Sequence, residues 1–453
     1  MTAAKSLNPM ISRKSQNLRA TITPPGDKSI SHRSLMFGAV ASGRTDIHGL
    51  LEGEDVLHTA AAMRALGAKV TKHPGGTWEV EGCGVGNFKE PADTLEMGNS
   101  GTSTRLLMGL LASQGITTAF DGDASLRKRP MGRVMEPLVQ MGANFISRDG
   151  GKLPLTMMGT GNAKPIVYRL PVASAQVKSA ILLAGLNAKG DTVVIEPTPT
   201  RDHSEIMLKQ FGASIDLWTE TDGAQRITLH GPAQLKGQEV FVPADPSSAA
   251  FPMVAALLCP RSELVLKDVG MNPRRTGLLT TLQEMGADIT VTPTPAAGEA
   301  RATLTVRYGT LRAVDVPAER APSMIDEYPI LAMAAACANG TTRMRGLGEL
   351  RVKESDRLAM VADGLRAAGA DVTIDGDDLI VSGNGQPPRG GCLIATAMDH
   401  RIAMSFLVLG LATEQPITID DGSFIETSFP AFATLMRDAG AQIETMPPVR
   451  ATA

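Results

Sequence analysis

Cysteine is scarce in this chain: Cys83, Cys259, Cys337 and Cys392 are the four among 453 residues, and no two form a CxxC pair. So few thiols build no disulfide framework and disfavour structural zinc, so a reducing compartment, the cytoplasm, is the expected location. Aromatic residues make up only 4%, which leaves little stacking surface for single-stranded nucleic acid. Positive charge is not in excess either. Lys and Arg number 44 against 47 Asp and Glu, a net charge of −3, and a general nucleic-acid binder working through a basic surface is excluded. Long apolar runs are missing as well: AMSFLVLGLA at 403–412 stops far short of the roughly 18 residues of a membrane span. The first 26 residues hold no acid and carry Lys5, Arg13, Lys14 and Arg19, but they contain no apolar signal-peptide stretch, and no leader is expected. What the chain does have is 43% hydrophobic residues, 46 Gly and 23 Met, enough for large cores of small and flexible side chains.

One phrase recurs six times: ALGAKV at 65–70, QMGANF at 140–145, QFGASI at 210–215, EMGADI at 284–289, AAGADV at 367–372 and DAGAQI at 438–443. The glycines Gly67, Gly142, Gly212, Gly286, Gly369 and Gly440 lie 75, 70, 74, 83 and 71 residues apart, close to one sixth of the chain. A helical pattern runs into each glycine and an alternating one leaves it. Each Gly is therefore read as the left-handed residue that ends a helix before a strand. Hairpin signals follow, as in KVTKHPGGTWEV and VTIDGDDLIVSG, then a further strand and a second, more apolar helix, so that each repeat is roughly βαβαββ. The sixth copy is cut short, and a spare N-terminal strand, LRATITPP at 18–25, is expected to complete the C-terminal half. The chain is thus expected to cross twice between two lobes: residues 27–244 with repeats 1–3, and residues 1–26 plus 245–453 with repeats 4–6. Repeats of this length suit globular modules better than a solenoid of 20–50-residue units.

Charged residues gather where helices begin: GDKSISHR at 26–33, GNSGTSTR at 98–105, RKRPMGR at 127–133, RDHSE at 201–205, KESDR at 353–357 and MDHR at 398–401. Capping accounts for the Ser, Asp and Asn, but not for Lys and Arg, which at a helix start oppose the dipole by about 0.3–1 kcal/mol. Their recurrence suggests anions held between dipole and side chain. Known nucleotide and hydrolase signatures do not fit. Lys28-Ser29 lacks the glycine spacing of a phosphate loop, and no GxGxxG, HExxH or GxSxG is present. Among the cations stand two acids, Asp326 in SMIDEYP and Glu354 in VKESDR. Acids are out of place in a site that only binds anions, and they point to proton transfer.

In combination these motifs resemble the 5-enolpyruvylshikimate-3-phosphate synthase family, class II bacterial type: PGDKSISHR (25–33), GNSGTSTR (98–105), SLRKRPMGRV (125–134), SAQVKSA (174–180), RDHSE (201–205), APSMIDEYPILA (321–332), LRVKESDRL (350–358) and DHRIAMS (399–405). The resemblance implies an α/β fold of two lobes, each an inside-out α/β barrel with three repeats, and a site in the cleft between them. It assigns Lys28, Ser29, Arg33, Ser174, Ala175, Gln176, Thr200, Arg201, Asp326 and Lys353 to shikimate-3-phosphate. Lys28, Gly101, Arg129, Gln176, Arg357 and Arg401 fall to phosphoenolpyruvate. The implied reaction is addition followed by elimination, in which the shikimate 5-hydroxyl attacks C2 of phosphoenolpyruvate and phosphate leaves a tetrahedral intermediate. Asp326 is then the candidate base on the hydroxyl, while Glu354 with Lys28 manages the C3 proton and the departing phosphate. No cofactor or metal is implied, nor any nucleic-acid or membrane partner, and a monomer inhibited by glyphosate is expected. Two positions depart from the pattern. Arg274 stands in NPRR where the class II phrase has Thr, and Thr427 replaces a class I lysine. The related UDP-N-acetylglucosamine enolpyruvyl transferases, with Asn after the first lysine and a loop cysteine, fit less well, since Ser29 follows Lys28 and no cysteine lies in the clusters. A noncatalytic anion-binding protein has no use for Asp326 and Glu354.

Overall fold

The computed structural model describes residues 6–295 and 298–450. The chain divides into two units, Gly26–Val242 and the discontinuous Met1–Pro25 with Pro243–Ala453, each with its own large apolar core.

The six glycine joints set the pattern of both units. Gly67, Gly142, Gly212, Gly286, Gly369 and Gly440 all have φ between 87° and 110°, the region that an L side chain disfavours. At each, the glycine N–H and the N–H of the following residue bond back into the helix just ended. Gly67 donates to Arg64 O and Ala68 to Met63 O, at 3.0 and 3.1 Å, and Gly440 and Ala441 do the same to Arg437 O and Met436 O at 2.8 and 2.9 Å. This double closure satisfies the last carbonyls of the helix and turns the chain into a strand.

Each unit carries three four-stranded sheets of one design, a parallel edge strand followed by two antiparallel pairings. In the unit Gly26–Val242 the sheet Leu95–Glu96, Thr117–Asp121, Lys152–Met158, Asn144–Arg148 shows it, with Leu95 beside Phe120 in parallel and Leu155 opposite Phe120 in antiparallel register. The parallel edge of the first sheet comes from the far end of the unit, Glu239–Phe241 against Ser42–His48. In the other unit the N-terminal segment supplies two strands to the four-stranded sheets rather than the one expected. Arg19–Ile22, from the LRATITPP stretch, is the parallel edge beside Glu263–Gly270. Met10–Arg13, which the sequence reading passed over, lies between Gln415–Ile419 and Gln442–Thr445 and fills the gap in the sixth repeat. It is only four residues long and its alternation is masked by flanking polar residues.

The more apolar helix of every repeat is interior to its unit. Lys28–Val40, Pro246–Leu258 and His400–Gly410 are buried along nearly their whole length. Two of the interior helices touch backbone to backbone: a Cβ on Gly109 would lie 2.3 Å from Ala180 O, so only glycine permits this approach. The polar first turns of these helices carry the residues considered next.

Candidate active site

In the unit Gly26–Val242 the candidate side chains lie on the first turns of the helices Lys28–Val40, Gly101–Ala112 and Ala175–Gly185 and on the segments next to them. Asp27 caps Lys28–Val40, accepting from Ile30 N at 2.9 Å. Lys28, the first residue of that helix, is ion-paired with the nearly buried Asp55, a carboxylate that the motifs did not single out. Arg33 is buried: its Nε donates to Ser204 Oγ at 2.8 Å, Nη2 to Ser179 Oγ at 2.7 Å and Nη1 to the Ser29 carbonyl at 3.0 Å. It therefore ties the first helix to Ala175–Gly185 and His203–Gln210.

A second group forms around Gly101–Ala112. Gln176 Nε2 donates to Thr102 Oγ1 at 3.0 Å, and its Oε1 accepts from Arg105 Nη1 at 2.9 Å. Arg129 reaches Asn99 Oδ1 at 2.6 Å and Ser125 Oγ at 3.2 Å. A Cβ on Gly101 would stand 2.8 Å from Arg105 Nη1 and 3.3 Å from Arg129 Nη1, so Gly101, Arg105, Arg129 and Gln176 share one small volume. Ser174 caps its helix, with Oγ 3.4 Å from Val177 N, which leaves Ala175 and Gln176 in the first turn, half-buried. Thr200 Oγ1 donates to Glu196 Oε1 at 2.5 Å, and Arg201 is the next residue on the same loop.

The unit containing Pro243–Ala453 builds a denser cluster. Arg357, at the first position of Arg357–Ala367, is 1% exposed and meets three carboxylates: Asp399 (Nε–Oδ2, 2.8 Å), Glu354 (Nη2–Oε2, 2.5 Å) and Asp326 (Nη1–Oδ1, 3.1 Å). Burial opposes its charge, but these acids outweigh burial and raise the guanidinium above its ordinary value. Burial likewise pushes the Asp399 carboxyl upward, and Arg357 more than reverses this, holding it below the usual range. Lys353 Nζ lies 3.2 Å from Asp326 Oδ1. Arg401 donates to the Asp326 carbonyl at 3.1 Å and stands 3.6 Å from Glu327 Oε1. All the residues expected in this half, Asp326, Lys353, Glu354, Arg357 and Arg401, are thus joined through Arg357 and Asp326.

Asp399 and Glu327 were not foreseen. Asp399 stands in DHRIAMS as the cap of His400–Gly410, accepting from Arg401 N at 2.9 Å. A capping rule finds it as a cap, but nothing local announces it as the counterion of Arg357, 42 residues away. Glu327 accepts from Ser247 Oγ, and Ser247 and Asp245 are both held by the buried Arg275 at 2.7 and 2.9 Å. At the departures from the pattern, Arg274 engages Asn272 Oδ1 through its backbone N–H at 2.9 Å. Thr427 places a buried hydroxyl 3.5 Å from His400 Nδ1, where a lysine would bring a charge.

The family model of EPSP synthase (3-phosphoshikimate 1-carboxyvinyltransferase) matches residues 12–436. This chain belongs to that family. It is 59% identical over 440 residues to the 3-phosphoshikimate 1-carboxyvinyltransferase of Rhodospirillum rubrum, covering 96% of this chain and 98% of the relative. It is 62% identical over 438 residues to that of Granulibacter bethesdensis, covering 96% of each. The solved EPSP synthase of Acinetobacter baumannii superposes with a TM-score of 0.85 at 45% identity over 97% of this chain and 100% of that one. At 19% identity, the enolpyruvyl transferase NikO of Streptomyces tendae shares the fold, with a TM-score of 0.77 over 98% of this chain and 100% of that one. The inside-out α/β fold with six βαβαββ repeats is therefore that of an enolpyruvyl transferase.

Proposed function

We propose that the Arg357 cluster, Lys28 and the group of Gly101, Arg129 and Gln176 serve one reaction, the transfer of the enolpyruvyl group of phosphoenolpyruvate to the 5-hydroxyl of shikimate-3-phosphate with release of phosphate. The observation that carries the reading is the placing of Asp326 and Glu354 on a buried arginine: two carboxylates with different neighbours, within one charge network. Addition forms the O–C2 bond as the C2=C3 π electrons take a proton at C3. Elimination then breaks the C2–O bond to phosphate and returns the C3 proton. Asp326, oriented by Lys353 and Arg357, accepts the hydroxyl proton. Glu354 exchanges the C3 proton, and Lys28 serves the phosphate as it departs.

The two acids differ in burial from Asp399. Asp399 is 0% exposed, whereas the Asp326 and Glu354 side chains are 14% and 20% exposed. Asp399 is the permanent counterion, and the anionic groups of phosphoenolpyruvate compete with the other two for Arg357, which releases them for proton transfer. Shikimate-3-phosphate takes Lys28, Ser29, Arg33, Ser174, Ala175, Gln176, Thr200, Arg201, Asp326 and Lys353, and phosphoenolpyruvate takes Lys28, Gly101, Arg129, Gln176, Arg357 and Arg401. Among the described residues no group of His, Cys, Asp and Glu is arranged to hold a metal ion.

Transfer to UDP-N-acetylglucosamine through a cysteine is less well supported. All four thiols are free, burial pushes that of Cys259 up to about 12, and burial also raises Cys83, Cys337 and Cys392. Free thiols also favour a reducing compartment, the cytoplasm. No helix among the described residues is long and apolar enough to cross a membrane. The enzyme acts as a monomer and is inhibited by glyphosate in competition with phosphoenolpyruvate. The test is phosphate release from phosphoenolpyruvate, strictly dependent on shikimate-3-phosphate. Asp326→Ala and Glu354→Ala are each expected to lower kcat by about 10²–10⁴-fold. Release supported by UDP-N-acetylglucosamine instead, or full activity in both variants, refutes the reading.

A further inference from the structure

The SAQVKSA motif contains a charge that the reaction does not use. Lys178, on the helix Ala175–Gly185, is completely buried, with Nζ 2.8 Å from Glu196 Oε2 and 2.7 Å from Glu205 Oε1. Glu196 is the last residue of the strand Gly190–Glu196, and Glu205 lies in the first turn of the helix His203–Gln210. Between them runs the hexapeptide 197–202, PTPTRD, which carries Thr200 and Arg201. One ammonium group therefore fastens both ends of that loop to the helix whose start presents Ser174, Ala175 and Gln176. The fastening extends inward: Thr200 Oγ1 donates to Glu196 Oε1 at 2.5 Å, while Ser179 and Ser204, the neighbours of Lys178 and Glu205, share a hydrogen bond of 2.7 Å and both receive Arg33.

An ionic group sealed from water adds little stability compared with apolar side chains of similar volume, so geometry is the better account of its presence. One lysine facing two carboxylates also leaves the cluster with an excess acid, and Glu205 Oε2 is buried without a hydrogen-bond partner. We propose that Lys178 is a positioning residue for shikimate-3-phosphate, one that fixes the loop 197–202 against the start of Ala175–Gly185 before the substrate arrives. The inference rests on the assignment of Ser174, Gln176, Thr200 and Arg201 to shikimate-3-phosphate.

The test compares Lys178→Met, the neutral companion Lys178→Met/Glu196→Gln/Glu205→Gln, and the direct-contact variants Ser174→Ala and Arg201→Ala. The companion removes the buried charges together and so guards against misfolding of the single variant. Titration calorimetry gives the Kd for shikimate-3-phosphate, and steady-state kinetics give the KM for phosphoenolpyruvate. Whichever Lys178 variant is folded by its thermal melt is expected to bind shikimate-3-phosphate about tenfold or more weakly, with the KM for phosphoenolpyruvate within about threefold. An unchanged Kd overturns the proposal, as does a decline of all parameters in step with the folded fraction. Hydrogen exchange on the unsubstituted enzyme provides a check that needs no variant: the amide of Ile206, which donates to Asp202 O at 3.0 Å and so closes the loop onto its helix, should be protected without substrate, and rapid exchange there also overturns it. If Ser174→Ala and Arg201→Ala both leave the Kd unchanged, it is the substrate assignment that fails, whatever Lys178→Met does.

Discussion

Gly101 offers a perturbation whose consequence can be worked from distances. It is the first residue of the helix Gly101–Ala112, preceded by the cap Ser100, whose Oγ accepts from Ser103 N at 3.1 Å. An alanine there keeps helical backbone and costs the fold nothing. Its methyl, however, would sit 2.8 Å from Arg105 Nη1 and 3.3 Å from Arg129 Nη1. The first distance is too short, and the flexible end of Arg105 has to move. That guanidinium donates to Gln176 Oε1 at 2.9 Å and to the Pro130 carbonyl at 3.1 Å, so its displacement loosens Gln176. A hydrogen bond to a charged group is worth about 1.5–3 kcal/mol, and partial loss of one gives about 1–2 kcal/mol, or a 5–30-fold effect on a binding constant. Gly101→Ala is therefore expected to raise the KM for phosphoenolpyruvate by that factor, and the inhibition constant of glyphosate by at least as much. Because Gln176 is assigned to both substrates, the KM for shikimate-3-phosphate should rise as well, by no more than the same factor, while the melting temperature should scarcely change. The assay is phosphate release at varied phosphoenolpyruvate with glyphosate as competitor. A folded variant with both constants unaltered refutes the placement of phosphoenolpyruvate against Gly101, and a large fall in melting temperature refutes the claim that the effect is local.

Arg357→Met removes the ionic partner of Asp399, which has no exposed surface. Stranding such a charge costs about 3–5 kcal/mol. At about 2–4 °C per kcal/mol for a unit of this size, calorimetry should show a melting temperature lower by about 6–20 °C, largely restored by adding Asp399→Asn. A fall of less than about 2 °C contradicts the role of Asp399 as permanent counterion. His32, buried with Nδ1 2.8 Å from Thr59 Oγ1, is held well below its ordinary value by burial first and then by Lys28 and Arg33. The folded protein keeps it neutral while the unfolded chain takes up a proton below about pH 6.5. Its contribution is thus whole above that pH and is lost on acidification by up to about 1.4 kcal/mol per pH unit. Melting temperatures between pH 8 and pH 5 should fall less steeply in His32→Asn than in the unsubstituted protein, and equal slopes count against the assignment.

The repeat was legible because its signal is local. A left-handed glycine followed by Ala is demanded by two adjacent hydrogen bonds, Gly440 N to Arg437 O and Ala441 N to Met436 O among them, and both fall within six residues of sequence. Hairpins such as Lys69–Lys72 with Trp78–Cys83 were legible for the same reason. Met10–Arg13 was not, because its partners lie some 400 residues on, at Ile419 and Thr445, and four residues carry too little alternation to announce a strand. The site divides in the same way. Ser100, Ser174 and Asp399 sit at helix starts where capping chemistry marks them. The pairings Lys28–Asp55, Arg357–Asp399 and Lys178–Glu196 are tertiary, and no rule of spacing brings their members together.

A cation at a helix start points to an external anion, since it opposes the dipole by about 0.3–1 kcal/mol. The structure supplies a second solution, in which the chain provides the carboxylate itself: Asp55 for Lys28, and Asp399 with Glu354 and Asp326 for Arg357. The two solutions are compatible only if some of those carboxylates can give way. An ion pair on a fully buried group is held by the cost of separating it, several kcal/mol, whereas one open to water is worth about 1 kcal/mol or less. Asp399 is of the first kind, and Glu354 and Asp326, with some exposed surface, lie between the two. Overall charge near zero and a site for multiply charged anions therefore coexist without contradiction. On the proposed reaction, the acids that balance the arginine here, Asp326 and Glu354, are the ones an incoming anion would displace, and a displaced carboxylate could then serve as the base.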